Sequence, residues 1–136
     1  GDEPGTSKDE GWDPLWARYP QYSELYVFMY WYPKDSLGRW SNLTMPHAGL
    51  SVSPTAWLKT SAMVGYLSAP EKDGPGGDAD RGWLEVVKGE FKVGEKLLTQ
   101  RDKLTGHVWL EMLQPGDYYA KDDNAYFARW QLLYEF

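Results

Sequence analysis

The carboxyl-terminal segment, residues 126–136, most constrains what this chain can fold into. It reads Tyr-Phe-Ala-Arg-Trp-Gln-Leu-Leu-Tyr-Glu-Phe. Side chains alternate between the two faces of a β-strand. One face is therefore apolar over its whole length and holds Ala128, Trp130, Leu132, Tyr134 and Phe136. The opposite face holds charged and polar groups together with two apolar residues, namely Arg129, Gln131, Glu135, Phe127 and Leu133. An apolar edge strand in water promotes aggregation, so the pattern predicts a strand whose apolar face is shielded from water.

The composition limits the class of protein. At 136 residues the chain has room for one domain. Its formal net charge of −6 argues against nucleic acid as a partner. The chain has no cysteine, which excludes disulfides and thiolate metal sites. Aromatic residues make up 16% of it, with eight Trp and ten Tyr, yet its mean hydropathy is negative. A transmembrane β-barrel permits this combination, because only alternate residues of its strands face lipid.

No segment of the sequence is predicted to form a transmembrane helix. The longest apolar run, residues 25–32, has eight residues. A helix needs about twenty such residues to cross a bilayer. Alternating hydrophobicity and turn residues instead predict an all-β chain, an antiparallel meander of about six strands.

The predicted domain layout is a loop leading into the strands at 1–22 and the strands themselves at 23–136. The strands are predicted at 23–32, 39–53, 57–68, 81–93, 105–113 and 126–136. Turns are predicted at Pro33–Gly38 and Pro54–Thr55, and long polar loops at Ala69–Asp80 and Gln114–Asn124. Pro46 and Gly49 weaken the second strand and suggest a bulge.

The alternation also predicts which residues share a face. In the strand at 57–68, one face carries Leu58, Thr60, Ala62, Val64 and Tyr66. In the strand at 105–113, one face carries Val108, Leu110 and Met112, and the other carries His107, Trp109 and Glu111. In the strand at 81–93, Lys88, Glu90 and Lys92 form a charged face opposite Val87, Phe91 and Val93. Glu85 interrupts that pattern, so the facing of this strand is left open.

Two segments of the second half resemble the alginate-export family of bacterial outer-membrane β-barrels. The first is Glu111–Tyr119, which reads Glu-x-x-x-Pro-Gly-Asp-Tyr-Tyr. The second is the strand Ala-Tyr-Phe-x-Arg-Trp that begins at Ala125 and continues to Phe136. Upstream, residues 12–20, 23–26 and 42–43 also resemble the later strands of that family.

The resemblance implies a bacterial, Gram-negative outer-membrane location and a porin-like barrel of about eighteen strands, of which this chain would be the final third. Single-chain barrels begin at about eight strands, so about six strands would either belong to a larger barrel or pool with further copies, and the first is favoured. The implied partners are outer-membrane lipid, lipopolysaccharide, the barrel-assembly machinery and the remaining barrel strands. The resemblance implies transport by passive diffusion, with no cofactor and no enzymatic activity.

The resemblance also assigns roles to aromatic residues. It implies that the carboxyl terminus is periplasmic and that Trp130, Leu132, Tyr134 and Phe136 belong to the signal for membrane assembly. We expect Tyr118, Tyr119 and Tyr126 at the outer aromatic girdle of the barrel, and Tyr134 and Phe136 at the inner one.

Arg129 is the main candidate site residue, since it faces away from the apolar side near the middle of its strand. One interpretation places it in a basic track, with Lys88, Lys92 and Lys59 on neighbouring strands, that guides an anionic polysaccharide such as alginate. The other pairs Arg129 with Glu111 on the adjacent antiparallel strand. Both interpretations stay open.

Other chemistry has weaker support in the sequence, and no metal site is predicted. The loop carboxylates Asp73, Asp78, Asp80, Asp117, Asp122 and Asp123 lack the spacing of a calcium loop. His47 and His107 are too few to suggest zinc, and nothing distinguishes Glu85, Glu90 and Glu111 from ordinary channel charges. The alternative function is a soluble β-sandwich that binds glycans by stacking Trp and Tyr on sugar rings. A sandwich would bury its aromatic residues between two sheets, whereas a barrel turns them outward.

Overall fold

The structure is a computed structural model that describes residues 22–25, 42–72, 74–95 and 101–136. Five strands form a single sheet: β1 His47–Thr55, β2 Leu58–Ser68, β3 Asp80–Glu95, β4 Lys103–Gln114 and β5 Ala125–Glu135. The strands lie in sequence order and each neighbouring pair is antiparallel. The all-β class and the meander topology are therefore confirmed. A search of the described residues found no helix that is long and apolar enough to cross a membrane.

The last four predicted strands match β2 to β5, with ends that differ by at most two residues. The predicted strand at 39–53 differs more, because β1 begins only at His47 and the residues before it form a single bridge, Thr44 with Ser68. The predicted strand at 23–32 lies mostly outside the described residues; its described residues Glu24 and Leu25 are helical. Nearly all of the predicted loop at 1–22 and the whole turn at 33–38 also lie outside them.

The connection between β1 and β2 corrects two predictions. β1 continues through Thr55, so the turn comprises residues 56–57 and not Pro54–Thr55. The pairing of β1 with β2 shifts between Val52 and Thr55, which places Pro54 at the irregularity. Proline is tolerated there because it has no N–H to give to the ladder. Gly49 instead pairs in regular register with Met63, so no bulge occurs at that position.

The register gives the sheet two faces of different character. We call one the apolar face, and it carries Leu50, Val52, Ala62, Val64, Val87, Val108, Leu110, Trp130 and Leu132. We call the other the polar face, and it carries Lys59, Lys88, Glu90, His107, Glu111, Arg129 and Gln131. The facing of β3 is now settled: Val87 and Phe91 share the apolar face, and Lys88 and Glu90 the polar face. Glu85 lies on the apolar face, between Val64 and Met112.

The hydrophobic core lies on the polar face, at the end where the two long loops leave the sheet. Its members are Leu25, Leu67, Leu84, Val86, Trp109 and Leu113. Leu67 and Leu84 are fully buried, at 0% exposure. Burying a leucine side chain stabilises a fold by about 1.5–3 kcal/mol, so this cluster anchors Leu25 and its neighbours to the sheet.

The two long loops pack against each other above that core. Tyr118 and Tyr119 are both 6% exposed and cluster with Ala69. The guanidinium carbon of Arg81 lies 4.3 Å from the centre of the Tyr118 ring. The N–H of Tyr118 donates to the carbonyl of Asp80 at 2.7 Å, which ties the second loop to the start of β3. The structure thus buries Tyr118 and Tyr119 among the loop residues, whereas the prediction placed them at the outer aromatic girdle.

Gly82 makes this close approach of the loops possible. Its φ is +95°, and a Cβ at this position would lie 1.9 Å from the carbonyl oxygen of Gln114. Only glycine accepts that backbone conformation without strain. The neighbouring irregularity in the pairing of β2 with β3 leaves Arg81 between two paired residues, Asp80 and Gly82.

Candidate functional site

The centre of the polar face holds a row of three side chains that the register places side by side. Lys88 of β3 pairs with Trp109 of β4, and Trp109 pairs with Arg129 of β5. The ammonium of Lys88 lies 5.1 Å from the Trp109 ring centre and the guanidinium carbon of Arg129 lies 5.2 Å from it. A cation over an indole ring gains about 0.5–2 kcal/mol. Lys88, Trp109 and Arg129, which we call the cationic row, therefore hold two positive charges against one aromatic ring.

Glu111 lies next to the cationic row, one step closer to the loops, and it is almost completely buried at 4% exposure. Its Oε1 accepts a hydrogen bond from the N–H of Glu24 at 2.7 Å, and its Oε2 accepts one from the N–H of Leu25 at 3.1 Å. The hydroxyl of Ser23 donates to the same Oε2. A buried carboxylate requires such partners, because an unpaired one is costly. Glu111 therefore fixes residues 22–25, which we call the strap, onto the polar face.

The strap brings a second carboxylate to the cationic row. Nη1 of Arg129 donates to Oε1 of Glu24 at 2.7 Å, and Nε of Arg129 donates to Nε2 of His107 at 3.2 Å. The predicted ion pair between Arg129 and Glu111 is therefore corrected: the carboxylate that Arg129 meets belongs to Glu24. The cross-strand neighbours explain the difference, since Glu111 faces Phe127 and Arg129 faces Trp109.

The other predicted members of the basic track occupy different surroundings. The ammonium of Lys88 lies 3.0 Å from Glu90, and that of Lys59 lies 3.9 Å from the same carboxylate. Lys92 is exposed, and its backbone N–H donates to the carbonyl of Trp57. The structure thus brings Lys88 and Arg129 together on either side of Trp109 and links Lys59 to Lys88 through Glu90. Lys92 lies further along the sheet, near the connection between β3 and β4.

The apolar face is the second candidate site, because each of the five strands has exposed apolar side chains on it. All nine residues of β1 are exposed. On β5, Trp130 is 73% exposed and Tyr126 is 70% exposed. The exposed apolar side chains on this face include Leu50, Val52, Val64, Trp83, Val87, Val108, Leu110, Leu132 and Tyr134. Apolar patches of this extent mark surfaces that bind another protein, a membrane or a ligand.

Aromatic rings lie at both ends of the apolar face. At the loop end, Tyr66 and Trp83 face each other with ring centres 5.1 Å apart, and Tyr126 lies two strands away from Trp83. At the opposite end, Tyr134 stacks on Phe136, and the hydroxyl of Tyr134 donates to Asp102 at 2.7 Å. Phe136 itself is 95% exposed. Tyr126 therefore lies towards the loop end of β5, and Tyr134 and Phe136 lie at the other end; their assignment to the two membrane girdles stays a prediction.

A shallow groove crosses the apolar face between β3, β4 and β5. It is lined mainly by Glu85, Val87, Leu110, Met112, Tyr126 and Ala128. Glu85 is the acidic group among the apolar side chains of this groove. The described residues that line the groove include no set of converging polar groups of the kind that orient a small-molecule substrate.

The carboxylates in the described parts of the loops do not assemble into a metal site. Among the residues that the structure describes, no three His, Asp or Glu side chains come together in a geometry that would hold a metal ion. Hydrogen bonds from the N–H groups of Asp80 and Ala79 hold the pKa of Asp78 below its usual range, with a smaller contribution from Lys72. Asp78 therefore acts as a turn former within its loop.

The sequence alone did not identify three residues of the polar-face site. Trp109 could have been found, because the strand register alone places it between Lys88 and Arg129. His107 follows from the same register. Glu24 could not have been found, since no strand periodicity links it to Arg129, 105 residues away.

Comparison of the chain with protein-family models, with curated proteins and with solved structures returned no match in any of the three.

Proposed function

We propose that this chain forms part of the wall of a transmembrane β-barrel in the bacterial outer membrane, with its apolar face towards lipid and its polar face towards the channel. The channel would pass solutes by diffusion, and the resemblance to the alginate-export family makes an anionic polysaccharide the candidate substrate. The observation that carries the proposal is the exposure of a mainly apolar face that extends across all five strands.

The height of the apolar face supports this proposal. The height can be measured along β4 between the aromatic residues at its two ends. Gln114 pairs with Trp83 at the loop end, and Leu104 pairs with Tyr134 at the opposite end. Ten residues of a strand span about 33 Å. At the tilt of about 40° found in outer-membrane barrels, that length crosses about 25 Å, the height of their apolar band.

The two open edges of the sheet also support it. Within the described part of the chain, β1 and β5 each pair on one side only. An exposed edge in a finished structure is a liability, and strands in lipid need every backbone group paired. The proposal therefore requires further strands, supplied by a longer chain or by other copies, to complete the barrel.

The single layer of the sheet argues against the alternative, a soluble β-sandwich that binds glycans. A sandwich needs a second sheet over the apolar face. In the described residues all five strands belong to one sheet, and Leu25 packs on the polar face. The aromatic residues of the apolar face are open to the outside, as a barrel requires.

Two tryptophans on opposite faces provide a direct test. We expect the protein to refold only in detergent micelles or vesicles and to show heat-dependent mobility in gel electrophoresis. Lipids brominated on the acyl chain should quench its fluorescence, and Trp130→Phe should remove a large part of that quenching. The matched control Trp109→Phe should leave the quenching unchanged, because Trp109 is nearly buried on the polar face.

The outcome that would contradict the proposal is a soluble monomer that unfolds cooperatively without detergent. A soluble dimer that buries Trp130 would instead show that a second copy covers the apolar face. Deleting Phe136 gives an independent check, since it should lower the yield in the outer-membrane fraction if the terminal aromatic residue guides assembly.

A further inference from the structure

We infer that Glu24 is a fixed counter-charge that sets the charge selectivity of the polar face, and that Glu111 is the positioning residue that holds it there. The inference rests on the proposed function, because the polar face must line the channel for its charge to act on solutes. It goes beyond that function by assigning the selectivity to a residue outside the barrel strands.

The geometry of the strap supports this inference. The Glu24 carboxylate lies 2.7 Å from Nη1 of Arg129, and the side chains of Glu24 and Arg129 are 25% and 37% exposed. Partly buried charges at this distance interact strongly, because little water lies between them to screen the interaction. Glu24 therefore cancels much of the field that Arg129 would otherwise project into the space above the sheet.

Glu111 explains why Glu24 stays in place. A free glutamate side chain would lose conformational entropy on pairing, which is why exposed ion pairs contribute little. Here the strap is held by three hydrogen bonds to a buried carboxylate, one from the side-chain hydroxyl of Ser23 and two from the backbone N–H groups of Glu24 and Leu25. Leu25 also packs into the core. The strap is thus held by contacts other than the ion pair between Glu24 and Arg129.

The remaining charges on the polar face show that the Glu24 carboxylate determines the net charge at its centre. Lys88 and Lys59 share Glu90, which leaves them about one net positive charge. Arg129 is balanced by Glu24, and His107 accepts a hydrogen bond from Arg129 as a neutral ring would. With the buried carboxylate of Glu111 counted as well, removing the charge of Glu24 raises the net charge at the centre of the face from about 0 to about +1.

A cysteine placed beside Arg129 can measure this field without a working pore. The chain has no cysteine, so Gln131→Cys introduces a unique thiol on the polar face, two residues along β5 from Arg129. That spacing is about 7 Å, within the screening length of about 10 Å at 0.1 M salt. The measurement is the ratio of the modification rates with an anionic and a cationic methanethiosulfonate of similar size.

We expect Glu24→Gln to raise this anionic-to-cationic ratio several-fold in the refolded protein. Glu111→Gln should raise it similarly, and the double variant should equal either single variant, because both act through the same contact. Glu24→Asp, which keeps the charge, should stay near the original ratio. Glu135→Gln is the matched control, since it removes one negative charge from the same strand about 13 Å from the thiol.

A neutral thiol reagent separates charge from access. If Glu24→Gln speeds all three reagents equally, the strap only shields the thiol and the inference is overturned. An unchanged ratio overturns it as well. Reversal potentials in planar bilayers then test whether the polar face lines a channel. If Glu24→Gln changes the thiol ratio but does not shift selectivity towards chloride over potassium, Glu24 is a counter-charge but the polar face does not line a channel.

Discussion

The two faces of the sheet differ in a way that reverses the usual arrangement of a soluble protein. The apolar face has the larger area of exposed hydrophobic side chains, whereas the polar face carries the buried core of Leu67, Leu84 and Leu113. In water, a sheet covers its most apolar face first. The comparison supports the proposal that lipid covers the apolar face, whereas residues 22–25 already cover part of the polar face.

Two glutamates of the middle strands show the same difference between the faces: Glu111 of β4 is buried and Glu85 of β3 is exposed. Glu111, on the polar face, accepts hydrogen bonds from three donors of the strap. Glu85, on the apolar face, is exposed and lies in the same cross-strand row as Tyr126. In a barrel that row would be at the level of the lipid headgroups, where a carboxylate costs little.

The largest effect we expect comes from the core on the polar face. Leu84→Ala should lower the free energy of unfolding by about 2–5 kcal/mol, because it removes a fully buried side chain and leaves a cavity. The matched control is Leu132→Ala on the apolar face, where the side chain is half exposed and the loss should be clearly smaller. Denaturant titration of both variants in the same micelles measures the difference. Equal losses would mean that protein, not lipid or detergent, packs on Leu132.

The second prediction introduces a charge on the apolar face. Leu110→Arg should destabilise the protein in vesicles by about 2–4 kcal/mol, since an arginine near the middle of a barrel's lipid face is poorly solvated. Gln131→Arg, the control on the polar face, should be tolerated because it meets water and other polar groups. Folding titrations into vesicles compare the two. If Leu110→Arg is tolerated as well as its control, the apolar face does not lie in the bilayer.

The third prediction concerns the buried carboxylate. Glu111→Gln should cost about 1–3 kcal/mol, because a neutral amide replaces a charged acceptor of hydrogen bonds from the strap. Hydrogen exchange should become faster at the N–H groups of Glu24 and Leu25, which donate to this carboxylate. Glu85→Gln, on the opposite face, should leave both rates unchanged. Unaltered exchange in Glu111→Gln would show that packing of Leu25 alone holds the strap.

The sequence predicted most of the sheet and little of the polar-face site, for a physical reason. Alternation of side chains is a local property, so strands β2 to β5 and the facing of Trp130 and Arg129 could be predicted from the residues in each strand. Partners that depend on chain segments outside the strands could not. One of the two interpretations of the sequence therefore pairs Arg129 with Glu111, since alternation identifies only neighbours on the adjacent strand. The resemblance places Tyr118 and Tyr119 at the girdle, and loop packing leaves no periodic signal in the sequence that would show them to be buried.

The smallest expected effect is at the end of the polar face, where Lys103 and Glu135 form an ion pair at 3.0 Å with side chains about half exposed. An exposed pair contributes about 0–1 kcal/mol, because water and salt screen it. A double-mutant cycle with Lys103→Ala and Glu135→Gln should give a coupling energy in that range, and it should fall as salt is added. The cycle of Glu24→Gln with Arg129→Ala should give a larger coupling that salt affects less, because that pair is less exposed and its carboxylate is held by the strap. If the Lys103 pair couples as strongly as the Glu24 pair, the end of the polar face is as desolvated as its centre, and the two regions of this face do not differ in solvation.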